Sequence, residues 1–515
     1  MDILNDDIFY DFFKERNIAL IGDKKLCRHF CLQYHRILNV KYILITSENF
    51  TYSSADKELE KELGIKYMPF NESLVIRQNL LVVMCCRHEE RKLYDRFLFN
   101  KGFEWGTDYI DALYVIQYSR QKYEIDLMDK NIWIFGAGNN GSKFYEEYKD
   151  IFHICGFVSN YECEKEYLGL PVIRTAELPD KNNAFVIICS EAELMMSKQL
   201  CEIGYKGSRD YYFADTLPLK LFIAIGTCQI VITSHVLYKS KHFNRRYNAC
   251  IYMDSIYNPC DESDNRRIKA YGTFCDVVFY NNANIGTLEQ RNYELLLDRY
   301  YKRADRIHMP FYYFTGQLMQ ATNTENTHTL KSAKLSLHIW LRGDNEINRL
   351  IDEGDTVEEI VFKVSAEDYW STEEILDNYK RELKKIEVWD RFSSFPIKPF
   401  IEENYQKEVV FVDGTHFGYH LCIYLANEVA KYLNLKEVGE EELENIVEIE
   451  ETKKSIMPVY PCVKKALGMK ISDKYRFYNM KKRKIEYLEF KEYIKKYVKY
   501  VICVENIYED CGTIF

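Results

Sequence analysis

No stretch of this chain is apolar for long enough to suit a bilayer. The best candidate, Leu221 to Tyr238, is broken by Gly226, Thr227, Cys228, Gln229, Thr233, Ser234 and His235, too polar for a lipid span. A basic face is missing as well: 79 acidic against 69 basic side chains give a formal charge of −10, with the two signs interleaved. A nucleic-acid binder needs clustered cations to replace phosphate counterions, so that class is excluded. The short basic run Lys481 to Lys484 reads as a solvated face. Met1 to Asp11 has neither the basic start nor the apolar stretch of a secretory signal. The 16 cysteines include no pair of C-x-x-C motifs at a zinc spacing, and Cys27, Cys31, Cys85 and Cys86 read as small buried hydrophobes. The expectation is a cytoplasmic chain with reduced thiols, no transmembrane segment and no metal. Low-complexity tracts are absent too, and an apolar share of 47% excludes disorder.

What is present begins with length. A chain of 515 residues exceeds one hydrophobic core, which predicts two to four domains. Asn17-Ile-Ala-Leu-Ile-Gly22 recurs as Asn131-Ile-Trp-Ile-Phe-Gly136, and Leu63-Gly64-Ile65 as Leu168-Gly169-Leu170. The apolar run Asn79 to Cys86 pairs with Asn183 to Ser190, and Gly102-Phe103 with Asp108-Tyr109 pairs with Gly204-Tyr205 and Asp210-Tyr211. Four correspondences in one order predict a duplicated unit, roughly 14–120 and 128–216. β-Branched runs alternating with helical stretches give each copy parallel strands and crossover helices, a Rossmann-like α/β unit. A third region opens on the buried strand Leu221 to Gly226. Further strands are expected at Asp276 to Tyr280 and Val409 to Val412, and a helix from Gly418 to Leu433. An exposed amphipathic helix is expected over 371–389, an acidic solvated stretch over Glu437 to Glu451, and a small appended subdomain after it. The domains predicted are 1–125, 126–216, 217–436 and 437–515.

Gly136-Ala-Gly138-Asn-Asn-Gly141 fits G-x-G-x-x-G between a strand and a helix, where glycines let a phosphate approach backbone N–H groups. The strand Cys155 to Asn160 that follows ends without the acid that would hold a ribose, which disfavours NAD. Two readings stand: a nucleotide or nucleotide-sugar cradle, or glycines kept for strand–helix packing. Ile-Phe-Gly-Ala-Gly, the Gly-Phe-Val-Ser-Asn strand and the Leu-Gly-Leu-Pro-Val-Ile run make this unit similar to the N-terminal module of PglD-type sugar acyltransferases. That resemblance implies a nucleotide-sugar ligand. The left-handed β-helix that follows in that family is absent from this sequence, so its acyltransferase site is not inherited.

Gly226-Thr227-Cys228-Gln229 ends one strand and opens a helix, whose dipole and free N–H groups favour a thiolate. Asp413-Gly414-Thr415-His416 follows the expected strand at Val409, and a D-x-x-H turn lets a carboxylate orient an imidazole. Both motifs at strand ends of one open sheet would meet in a pocket. They resemble the first and last blocks of SGNH-type hydrolases and transferases, with Cys228 in the serine position. More closely, 221–515 resembles the WcbI-type acetyltransferases of capsular polysaccharide biosynthesis. Beyond Gly226, Cys228 and Gln229, the shared features are Met309-Pro310-Phe311-Tyr312, the Asp344/Glu346/Ile347 stretch and Thr415-His416 before an apolar helix; Phe417 stands where that family has proline. The resemblance implies an SGNH-like (flavodoxin-like) three-layer α/β domain with a C-terminal appendage, coenzyme A or acetyl-CoA as donor, and a sugar or nucleotide-sugar as acceptor.

On that resemblance Cys228 is the nucleophile or the thiol that positions the acyl group, His416 the base and Asp413 its orienter. Gly226, Gln229, Asn282 and Asn284 are candidates for the oxyanion hole and for positioning. Arg245, Arg246 and His235 are candidates for holding the cofactor. Competing readings keep the same site with water as acceptor, an esterase or thioesterase, or make the chain a non-catalytic nucleotide-sugar-binding scaffold. Self-association is left open.

Overall fold

The computed structural model describes residues 13, 16–46, 53–73, 79–161, 165–254, 260–281, 293–321, 343–439, 442, 456–479 and 484–502. The fold is mixed α/β, and among the described residues it is built on three sheets that are parallel except for one short edge strand. Strands β1 (Asn17–Gly22), β2 (Val40–Ile45), β3 (Lys66–Pro69), β4 (Leu80–Cys85) and β5 (Tyr109–Asp111) form the first, in the order β3-β2-β1-β4-β5. Strands β6 (Ile132–Phe135), β7 (Ile154–Val158), β8 (Glu166–Tyr167), β9 (Leu170–Ile173), β10 (Phe185–Ile188) and β11 (Tyr211–Phe213) form the second, in the order β11-β10-β6-β7-β9-β8. Leaving aside β8, a short antiparallel partner of β9, the two orders are the same.

The likeness reaches individual hydrogen bonds. Gly22 ends β1 so close to β4 that a Cβ on it would lie 2.1 Å from the Cys85 carbonyl oxygen. Gly136 ends β6 with the same approach to Cys189, at 2.7 Å. Two helices, His88–Asn100 and Glu193–Glu202, lead into left-handed Gly102 and Gly204, after which Phe103 and Tyr205 return N–H bonds to Leu98 and Leu200 at 3.1 and 3.0 Å. The Glu104 and Lys206 N–H groups then donate to Oδ2 of Asp108 and Asp210 at 2.9 and 2.8 Å. A glycine approach and an aspartate-closed corner recur because the same crossover must be turned twice.

The third sheet contains β12 (Lys220–Gly226), β13 (Tyr247–Met253), β14 (Val277–Tyr280) and β15 (Asp305–His308), all parallel, in the order β13-β12-β14-β15. Its side chains alternate between two cores, as the pleat requires. Leu221, Ile223, Ile225, Cys250 and Tyr252 join the core shared with the first two sheets. Phe222, Ala224, Ala249, Ile251 and Phe279 face a second core. That second core also takes in Met457, Tyr460, Phe477, Tyr493 and Tyr497, so the C-terminal hairpin β16 (Lys474–Asn479) with β17 (Lys484–Glu489) and the helix Phe490–Ile502 pack into the third sheet's own interior.

The helix expected over 371–389 spans Thr372–Asp390, capped reciprocally by Ser371 and Glu374, with Ile375, Tyr379, Glu382 and Ile386 as its buried stripe. The expected helix at 418–433 spans Tyr419–Tyr432. The expected strand Val409 to Val412 is not a strand. Val410, Phe411 and Val412 are buried in a loop that closes on itself through the Val412 N–H to His416 O (2.9 Å) and Gly418 N–H to Val410 O (2.7 Å). The acidic stretch Glu437 to Glu451 and the basic run at Lys481 fall largely outside the described residues. Among the described residues no helix is long and apolar enough to cross a membrane, and the described cysteines are free thiols.

Candidate functional site

The order of the third sheet reverses direction between β12 and β14, so the loops leaving those two strands part and open a crevice at their carboxyl ends. Gly226 closes β12 at that edge. A Cβ there would lie 2.2 Å from Asn281 Oδ1. This glycine lets Asn281, just past β14, reach across: its Oδ1 accepts from the Thr227 N–H at 2.9 Å and its Nδ2 donates to Thr227 Oγ1 at 3.0 Å. Thr227 then stands at the N-cap of the helix Cys228–Lys239, its side chain making no hydrogen bond to the helix's first N–H groups. The first-turn N–H groups therefore have no intrahelical acceptor, and they surround Cys228, the half-exposed first residue of the helix.

Gln229 is 1% exposed and ties three segments together. Its Nε2 donates to the carbonyls of Tyr312 (2.7 Å) and Thr415 (2.6 Å), and its Oε1 accepts from the Tyr312 N–H (3.0 Å). All of its amide groups are thereby used, so it positions the site and offers nothing to a reacting oxygen. The Asp413 to His416 turn is brought against Cys228 by this clamp and by the Phe314 N–H to Gly414 O bond at 2.9 Å. Gly414 sits at φ +88°, a conformation open to glycine at little cost.

Within the turn Asp413 Oδ1 accepts from the N–H groups of Thr415 (3.0 Å) and His416 (2.8 Å), and Oδ2 lies 2.7 Å from His416 Nδ1. The Cys228 thiol lies on this imidazole's other side, close enough to favour its protonated form. Burial opposes protonation of His416, but the charges of Asp413 and Cys228 and the bonds to both hold it well above the ordinary imidazole range. Burial likewise raises the Asp413 carboxyl, and the facing His416 charge with three hydrogen bonds outweighs it, bringing it down to about 2. Such an arrangement can hold a proton on the imidazole, orient that ring, and present a sulfur to an electrophile under N–H groups.

The remaining candidates lie elsewhere. His235 is exposed two turns along the helix from Cys228, about 10 Å up its axis. Arg245 pairs with Glu147 at 3.6 Å and Arg246 reaches Asn434 O at 3.4 Å. Both arginines precede β13, whose first residue registers with Lys220, so they sit at the opposite edge of the sheet from Cys228, roughly 20 Å away. Adjacency in sequence to a strand had not said which end of it they would occupy. His416 itself lies in the self-closed loop and not at a strand end. Asn282 and Asn284 lie outside the described residues; the asparagine that meets Thr227 is Asn281, in the same Tyr280-Asn-Asn-Ala-Asn284 run. Asn281 and Thr227 were legible only as polar residues after strands.

In the second sheet's glycine loop, a Cβ on Gly141 would meet Gly136 O at 1.8 Å, while one on Gly138 meets nothing within 4 Å. Gly136 and Gly141 are thus explained by packing, and Gly138 faces open space at the start of the helix Asn139–Tyr148. Among the described residues no group of three or more His, Cys, Asp or Glu side chains is placed to hold a metal ion.

No family model matches the chain, and no curated protein matches it. Among solved structures the chain is similar to WcbI, described as a polysaccharide biosynthesis enzyme in a native form without a disulfide between coenzyme A and one of its cysteines. The identity is 11%, over 55% of this chain and 90% of that one, with a TM-score of 0.42.

Proposed function

We propose that this protein is an acyltransferase of surface-polysaccharide biosynthesis, moving an acyl group from coenzyme A to a sugar through Cys228, His416 and Asp413. The observation that carries the reading is the Asp413–His416 pair set beside the Cys228 thiol, at a helix start that lacks a side-chain cap. The donor and acceptor rest on the resemblance of Gly226-Thr227-Cys228-Gln229 and Thr415-His416 to the WcbI-type motifs. In the same reading the first two sheets are tandem Rossmann-like units, supported by their common strand order, and the third is SGNH-like.

The Cys228 proton passes to His416, and the thiolate attacks the thioester carbonyl while the first-turn N–H groups hold the developing oxyanion. Collapse expels the coenzyme A thiolate, which takes the proton from the imidazolium and leaves an acyl-cysteine. A sugar hydroxyl then gives its proton to His416 as it attacks that thioester. The ester leaves, and the proton returns to Cys228. Asp413 stays ionised throughout and keeps Nδ1 turned away from the reacting sulfur.

With acetyl-CoA as donor, intact-mass measurement of the full chain is expected to show one acetyl group on Cys228. Cys228→Ala and His416→Ala are each expected to abolish most thiol release from acetyl-CoA, and the double variant to lose little more. Asp413→Asn is expected to cost less, because it disturbs orientation and leaves the nucleophile. A Cys228→Ala chain that still consumes acetyl-CoA at the wild-type rate ends the proposal.

A further inference from the structure

Where the three sheets meet lies a cavity of about 490 Å³, within the size range of small-molecule sites. It opens at the carboxyl ends of β4 and β5, at Cys85, Cys86 and Asp111, and faces the start of β13 at Tyr247 to Cys250. The first sheet's order reverses between β1 and β4, so this is the edge where an open parallel sheet takes a ligand.

Arg91, on the helix His88–Asn100, lines the cavity and is 6% exposed. Its Nη2 faces Asp264 Oδ1 at 3.5 Å, and its guanidinium lies 4.8 Å over the Tyr252 ring. The nearest carboxylate to Nε, Asp95 Oδ2, is 4.0 Å away, beyond hydrogen-bond reach. Both Nε and Nη1 are buried donors with no hydrogen-bond partner among the described residues. The neighbouring acids are committed elsewhere: Asp111 to Arg267, Trp105 and Tyr271, and Asp95 to Arg267 and Tyr109. A buried charged donor left unmade is unfavourable, and an acceptor entering the cavity relieves it. Arg87, exposed on the cavity lining, adds a second cation. Leu26, Phe30, Tyr148 and Leu217 supply apolar and aromatic lining, beside the polar Thr216, Asn244 and Asn248; Asp215, also on the wall, is paired with Lys25 and His29.

We propose that this cavity binds a small anion, a carboxylate or a phosphate monoester carried on a ring, with Arg91 as its anchor. The site is separate from Cys228, which follows the last residue of β12 while the cavity meets the first residues of β13, the other end of that strand pair. A ligand there would touch strand ends of the first and third sheets and the segment that follows β11.

Calorimetric titration of the full chain with phenyl phosphate, benzoate and benzyl alcohol tests this. One of the two anions is expected to bind saturably, and which one does so tells phosphate from carboxylate; the neutral alcohol is expected not to bind. Arg91→Gln is expected to weaken the anion at least tenfold, and Cys228→Ala to leave it unchanged. Should Arg91→Gln fail to fold, Ala214→Leu, which fills the cavity from its edge, is expected to produce the same loss. The proposal is overturned if neither anion binds the wild-type chain, if the alcohol binds as well as the anions, or if the bound anion is indifferent to every folded variant of this pair.

Discussion

Asp344 and Asp413 are both buried, yet the fold moves their ionisation in opposite directions. Asp413 faces an imidazolium and three donors and falls to about 2. Asp344 caps the helix Asn345–Asp352 through the Ile347 N–H (2.9 Å) and receives the Tyr460 hydroxyl (2.9 Å), but no cation among the described residues answers it, and burial pushes it up to about 7. The signs follow. Asp413 contributes stability above the unfolded carboxylate range that is lost as pH falls towards 2. His416 contributes stability below 6.5 that is lost as pH rises past its raised value. Asp344 does the reverse of Asp413: the folded state keeps a proton the unfolded chain has released, so stability declines from about pH 4 to about pH 7. Asp344→Asn keeps one side-chain oxygen, able to accept from both the Ile347 N–H and the Tyr460 hydroxyl as Oδ1 does, and removes the titration. Urea unfolding is expected to show its advantage over wild type growing by on the order of 2 kcal/mol between pH 5 and pH 7.5. An advantage that does not change with pH would mean Asp344 is ionised in the folded protein.

At the scale of elements, the glycine loop after β6 separates two demands that share one motif. Gly141→Ala places a methyl 1.8 Å from Gly136 O, so the helix Asn139–Tyr148 must move off the strand. The expected cost is about 1–3 kcal/mol, typical of overpacking, read as a lower thermal midpoint. Gly138→Ala meets nothing and is expected to shift that midpoint by a small fraction as much. Equal losses at both positions would mean that Gly138 has a structural duty its surroundings do not reveal.

Across the whole molecule, the first and third sheets are joined by charge. Arg267, on the helix Glu262–Gly272 and 1% exposed, donates from Nε to Asp111 Oδ2 at 2.9 Å and pairs with Asp95. Arg120 holds Asp276 through two bonds of 2.7 and 2.8 Å, and His29 lies between Glu193 and Asp215, binding the first sheet's helix to the second unit. Arg267→Met leaves the buried Asp111 without its cation and takes one of two arginines from the partly buried Asp95, and the expected loss is about 3–5 kcal/mol. Adding Asp111→Asn is expected to recover part of it, because the double variant no longer strands that charge. Calorimetric unfolding of the single and double variants measures both; additive losses would deny the coupling.

The duplication was legible in the residues because each copy must solve the same local problem: a glycine where β1 or β6 brushes the next strand, and an aspartate-closed corner before β5 or β11. Cys228 and the Asp413 to His416 turn were legible for the same reason, since a strand-to-helix junction and a D-x-x-H turn are short-range patterns. The strand expected at Val409 was an apolar run whose burial came from a loop, and hydrophobicity alone cannot tell those apart. Which of three asparagines reaches Thr227, which edge of the sheet receives Arg245 and Arg246, and that Arg91 faces β13 across a cavity depend on distances between segments far apart in the chain. Local sequence set the turns, caps and strand faces; the packing of three sheets against one another decided which of those groups share a site.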